Sequence, residues 1–384
     1  MKIDPYNNKE CYLKWKEQNE GLIPKIGKGN SDILLRYLND MEIGINVGAG
    51  SKKGARSYIR LKALREKNVF IMKKVFKLYK RDDITKITEE EVHALFSGME
   101  NGTILREDGR RYIAVVDYVK IFKAFWHWWI KINRKNGVEI KDITLDLNTK
   151  QEKPDWVYLT EEQVKRLYDS AKPYYKVLIM FLFDTGIRAP TEMMNIKVSD
   201  FYNDFKELQI REEVSKTFGR RIKLMLCSDL IKEYIKNNNL CLEDYLFKVK
   251  PQLVNLYLKR LAIKLFGDKV SPAGQKYSEL SMYDFRHCSC CYWLPRYKSE
   301  SALKYRFGWK KSDKIHYYSE LLGMRDTISE DDLLVDVTKT EIEQQLEKTR
   351  KENEVLQERM KNMEIKMGEI MEITNQMENA KGGV

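Results

Sequence analysis

The chain has 384 residues, is 43% hydrophobic and 33% charged, and carries a net charge of +12. That length suits two or three folding units with real cores, and no apolar run approaches the ~18 residues of a membrane-spanning helix. The six cysteines, Cys11, Cys227, Cys241, Cys288, Cys290 and Cys291, show no paired framework. The opening Met1-Lys2-Ile3-Asp4 lacks a signal-peptide pattern. A reduced cytoplasmic protein is expected, off the membrane.

The charge is uneven. Residues 51–135 hold 21 Lys and Arg against 10 Asp and Glu, which leaves the remainder of the chain close to neutral. A positive field confined to one segment fits a nucleic-acid face; a solvated lysine-rich surface gives the same count, and charge alone does not separate the two.

Residues 1–30 are polar and are expected to be a flexible N-terminus. From Ser31, helical spacing sets in (Ile33, Leu34, Tyr37, Leu38, Met41), followed by one or two helices through Leu61 and Val75. Thr88 with Glu91 makes a capping box for the next helix, and residues 112–133 form a long aromatic amphipathic one. This predicts a helical domain over 31–135. Residues 136–156 lose periodicity and read as a linker. Thr160 with Gln163 is a second capping box, opening a domain over 157–325. A helix through Leu178 and Leu182 leads to Arg188, with another expected to start near Pro190. Glu207–Glu213 and Arg221–Leu226 alternate as strands, with a turn carrying Lys216 between them. After a linker at 326–336, residues 337–380 show heptads, with Ile342, Leu346, Thr349, Asn353, Leu356, Met360, Met363, Met367, Ile370, Thr374 and Met377 on the seam. Asn353 at an a position fits an in-register dimer.

Arg188, Lys216, Arg286, Trp309 and Tyr318 follow one another in the second half, and their chemistry fits one job. Two guanidiniums clamp a phosphodiester, a phenol attacks it, a lysine protonates the leaving oxygen, and an indole N–H holds a non-bridging oxygen. The reaction calls for no metal or cofactor. The words around these residues are Phe183-Asp184-Thr185-Gly186-Ile187-Arg188, Tyr283-Asp284-Phe285-Arg286-His287, and Phe307-Gly308-Trp309 with Tyr318 nine residues on. Together they resemble the boxes of the tyrosine recombinases, the phage-type and Xer-like integrases, with wording closest to archaeal members.

The resemblance implies a mainly α fold with a small β-sheet. A helical core-binding domain would grip double-stranded DNA opposite a mixed α+β catalytic domain, and the C-terminal coiled coil would be an addition. It also implies site-specific cleavage and rejoining through a 3′-phosphotyrosyl intermediate, in a homo-tetramer on nucleoid DNA. Two features depart from the family. Tyr283 stands where the second box most often has histidine, and Glu192 lies one residue further from Arg188 than usual, which puts its supporting role in doubt. His287 reads either as a local orienting group or as a core histidine. The spacing from Trp309 selects Tyr318 over Tyr317 as nucleophile. Rival readings are a type IB topoisomerase-like enzyme, a decayed DNA-binding protein, and a coiled-coil scaffold.

Overall fold

The computed structural model describes residues 2–48, 53–150, 155–297, 299–322, 346, 348–350, 352–361, 363–364 and 367. It separates into one unit over Met1–Tyr318 and a second over Ser319–Val384.

The first part of the larger unit is helical: α1 (Asn8–Gln18), α2 (Lys28–Ile43), α3 (Tyr58–Tyr79), α4 (Glu89–Asn101) and α5 (Val115–Lys135). Apolar residues at helical spacing bury one stripe of each helix from α2 to α5. Tyr37, Phe122, Phe125 and Trp128 are fully enclosed at the centre, with Tyr37 edge-on to Phe125 at 5.3 Å. The Thr88 capping box forms in both directions.

The flexible N-terminus expected over residues 1–30 is corrected. Asp4 accepts from the N–H groups of Asn8 and Lys9 and so starts α1, and Tyr12, Ile23 and Ile26 are buried in the helical core. A single buried tyrosine on an otherwise polar helix is too weak a periodic signal to read from sequence. The chain start also reaches the second half of the unit. Ile3 N–H donates to Asn195 Oδ1 at 2.6 Å, Asn195 Nδ2 returns a bond to Ile3 O, and Lys2 Nζ donates to Glu213 O. The linker expected over 136–156 is shorter than its loss of periodicity suggested. Ile143 and Leu147 pack into the helical core, and Trp156 is buried elsewhere, near the C-terminal tyrosines.

The second part holds α6 (Glu161–Ser170), α7 (Pro173–Thr185), β1 (Phe201–Tyr202), β2 (Glu207–Ile210), β3 (Arg220–Lys223), α8 (Ser228–Asn237), α9 (Pro251–Phe266), α10 (Asp284–Trp293), α11 (Glu300–Phe307) and α12 (Asp313–Leu321). The strands form an antiparallel sheet in the order β1-β2-β3, pairing Leu208 with Ile222 and Ile210 with Arg220. Both long strands are shorter than expected, so the turn that carries Lys216 spans residues 211–219. Instead of a helix after Pro190 there are short 3₁₀ turns at Met193–Asn195 and Val198–Asp200. α7 and α10 pack as neighbours at the centre, around Phe181, Leu182 and Phe285.

In the second unit, residues 352–361 are helical, and Leu346, Leu356, Met360, Met363 and Met367 are exposed. The whole linker expected at 326–336 and several seam positions, among them Ile342, Ile370, Thr374 and Met377, lie outside the described residues.

Candidate active site

The site is built where three helix ends meet. α7 stops at Gly186, whose φ of +56° is left-handed, a conformation that costs a side-chain-bearing residue dearly. No Cβ fits there: it would lie 2.3 Å from Phe307 Cε1. Arg188 follows two residues later. α11 stops at Gly308, also left-handed, and Phe307 and Gly308 turn their carbonyls towards the arginines. Arg286 enters from α10, one residue-pair after the helix start at Asp284, somewhat later than the start near Ser281 that the sequence suggested.

Arg286 is 4% exposed and donates to Gly186 O and Phe307 O, both at 2.5 Å. Burial, and then the charge of Arg188, lower its pKa, although it remains a cation near neutrality. Arg188 donates to Gly308 O at 2.9 Å and to Glu192 Oε1 at 2.6 Å. Glu192 is 1% exposed and also accepts from Arg220 at 2.8 Å. Burial alone would raise the Glu192 pKa; Arg220 and then Arg188 overcome this and hold it at about 2. The extra residue after Arg188 therefore leaves Glu192 in its supporting place, against the doubt raised by its spacing. The Ala189-Pro190-Thr191 stretch absorbs the insertion while Glu192 N–H still bonds Arg188 O at 2.8 Å.

Arg220 was not recognised in the sequence. It is fully buried at the first position of β3 and also donates to Arg306 O at 2.9 Å. The signal was available: Arg220 shares the inward face with Ile222 two residues on. Arg306 in turn pairs with buried Asp184 at 2.8 Å, and Asp184 Oδ2 accepts from the N–H groups of Met225, Leu226 and Cys227. Around Phe307 and Gly308, Arg188 and Arg220 share the carboxylate of Glu192, and Arg286 adds a third cation. This leaves excess positive charge in a largely buried setting, a place suited to an anion.

The aromatic side closes the site. Trp309 is stacked between Phe307 (4.9 Å, 20°) and Tyr318 (5.9 Å, 13°). Tyr318, on α12, is 3% exposed, and its hydroxyl lies 2.5 Å from His287 Nδ1. Burial pushes the phenol far above its ordinary range. Tyr317 points elsewhere and accepts from Trp156 Nε1 at 2.6 Å. Tyr283 is 50% exposed, with its ring edge-on to His287 at 5.2 Å. Lys216 is exposed on its turn, and neighbouring Thr217 anchors that turn by donating to Gly308 O at 2.9 Å. Arg188, Arg286, Trp309 and Tyr318 thus converge, Tyr283 joins them through His287, and Lys216 stands on a turn tied to the same glycine. Cys288, Cys290 and Cys291 are buried on α10, and Cys288 Sγ donates to Val157 O.

Paired buried arginines, a stacked tryptophan and a tyrosine on a helical frame with a three-stranded sheet define a tyrosine recombinase domain. Residues 157–323 match the phage integrase family, so that this part of the chain is a phage-integrase domain. Among solved structures it is similar to a lambda integrase dimer bound to a COC′ core site, with 15% identity, TM-score 0.55, and coverage of 78% of this chain and 79% of that one. It is also similar to the XerH site-specific recombinase bound to a palindromic difH substrate, post-cleavage, with 15% identity, TM-score 0.53, and coverage of 81% and 90%. At that identity the likeness is one of fold. No curated protein matches the chain in sequence. Among the described residues, no helix is long and apolar enough to cross a membrane.

Proposed function

We propose that the chain is a site-specific DNA recombinase in which Tyr318 attacks a phosphodiester. Arg188 and Arg286 hold the non-bridging oxygens, with Trp309 and Tyr283 at the rim. The Tyr318 oxygen–phosphorus bond forms, the phosphorus–O5′ bond breaks, and Lys216 protonates the departing 5′-oxygen. The 3′-phosphotyrosyl link keeps the bond energy for a 5′-hydroxyl of another strand. The observation that carries this reading is the meeting of Arg188, Arg286 and the Trp309–Tyr318 stack on the Phe307–Gly308 backbone. The basic helical domain over 31–135 grips duplex DNA as a cytoplasmic, nucleoid-bound partner of the catalytic domain over 157–325. Four protomers assemble on paired sites, and the exposed Leu356, Met360 and Met363 of the tail helix meet a second copy.

The test is covalent capture. Nicked suicide duplexes, selected by the protein from a randomised pool, are incubated with wild type, Tyr318→Phe and Tyr317→Phe and run on denaturing gels. A protein–DNA band lost only with Tyr318→Phe is the expected result. Tight binding by wild type with no covalent band would overturn the enzymatic reading.

A further inference from the structure

A phenol attacks as phenolate, so a group touching Tyr318 must take its proton. Trp309 offers a stacked ring, and Trp156 and Tyr317 meet the Tyr318 ring edge-on at 6.1 and 5.1 Å. None of these is a base near neutral pH. The fourth neighbour is His287, whose Nδ1 lies 2.5 Å from Tyr318 Oη. An imidazole is the side chain made for this task. It is also held in place: Trp156 stacks on it at 4.7 Å and 28°, and Tyr283 meets it edge-on at 5.2 Å. Trp156 is itself anchored through its N–H to Tyr317 Oη and through its backbone N–H to Ala273 O.

We propose that His287 accepts the Tyr318 proton during cleavage, and that Trp156 is the positioning residue that fixes the imidazole for it. The inference rests on Tyr318 being the nucleophile. In cleavage, the proton on Tyr318 Oη passes to His287 Nδ1 as the oxygen–phosphorus bond forms. The phosphorus–O5′ bond breaks, and O5′ takes a proton from Lys216. In rejoining, the 5′-hydroxyl returns its proton to Lys216, and imidazolium His287 reprotonates Tyr318 as it leaves. Protons balance over the cycle, and no oxidant or metal enters. The neutral tautomer that does this carries its hydrogen on Nε2. Among the described residues, Tyr318 from α12 and Tyr283 from the start of α10 bring ionisable groups against His287, and Arg286 beside it in sequence turns to the Gly186 and Phe307 carbonyls.

The experiment measures single-turnover cleavage by the full chain, prebound to the selected suicide duplex, across pH. One duplex has the natural bridging oxygen and one a bridging 5′-sulfur, which leaves without a proton. Wild type is expected to lose activity as pH falls, because a protonated imidazole no longer accepts the phenol's proton. His287→Gln should cleave both duplexes ~100-fold more slowly and lose that acidic limb. Added imidazole should partly restore His287→Ala. Lys216→Ala, by contrast, should recover on the sulfur duplex. Trp156→Phe should lower the rate about ten-fold while keeping the limb, since positioning and not proton affinity has changed. A wild-type rate flat across the acidic range overturns the proposal without any variant. So does a DNA-binding His287→Gln that cleaves within about three-fold of wild type. A covalent band that survives Tyr318→Phe sinks the underlying nucleophile assignment instead, and is told apart by that variant alone.

Discussion

Glu192→Ala removes the one carboxylate that compensates two buried guanidiniums. Arg220 is fully enclosed and the Arg188 side chain 14% exposed, so neither recovers full hydration when the anion goes. Removing one partner of a buried pair costs about 3–5 kcal/mol. A second route gives a similar size: a Glu192 carboxyl held at about 2 against an ordinary 4.5 corresponds to roughly 3 kcal/mol of stabilisation at neutral pH. At ~2–4 °C per kcal/mol for a domain of this size, the melting temperature should fall by about 10 °C. The pH dependence has a definite sign. A depressed carboxyl stabilises fully above its unfolded pKa and loses that contribution as pH falls through its folded one. The gap between wild type and Glu192→Ala should therefore be widest above about pH 5 and should narrow towards pH 2. Cleavage should fall ~100-fold as Arg188 loses its brace. Calorimetry at several pH values and suicide-duplex cleavage read both effects. A variant melting within about 2 °C of wild type at pH 7 would refute the idea that Glu192 offsets buried charge.

Gly186→Ala places a methyl 2.3 Å from Phe307 at a left-handed φ, and should cost ~2–4 kcal/mol in urea denaturation and weaken cleavage, because Gly186 O holds Arg286. Asp184→Leu or Arg306→Met alone should each destabilise by ~3–5 kcal/mol, and the double variant by clearly less than their sum, since the pair is buried together at 2.8 Å; additive effects in a denaturation cycle would contradict that coupling. Deleting residues 337–384 should lower the solution mass seen by sedimentation and leave covalent capture by a bound protomer intact; unchanged sedimentation rules out the tail as an oligomerisation element.

What the sequence discloses is mostly what is local. The Thr88 and Thr160 capping boxes bind over three residues and are legible directly. The glycines at 186 and 308 sit beside the residues they serve, and so mark the arginine and tryptophan boxes. The missed residues act at long range. Trp156 reaches Tyr317 across 161 positions, and Arg220 reaches Arg306 across 86. Nothing near Trp156 in the chain distinguishes it from a linker tryptophan. Counted along the chain, Glu192 lies one residue too far from Arg188, whereas the irregular stretch after Arg188 keeps the carboxylate within reach in space. The turn carrying Lys216 was placed correctly but drawn too short, since alternation continues past the last paired residue of β2.

The carbonyls that receive the two arginines belong to consecutive residues, Phe307 for Arg286 and Gly308 for Arg188. One residue step of main chain, ~3.8 Å from Cα to Cα, therefore separates the acceptors of the two cations. The gauge offered to the phosphate proposed for this site is cut in main chain and does not depend on the rotamers of α11. Evolution can restyle the outward face of that helix freely, but cannot add or remove one residue at its end without resetting the gauge.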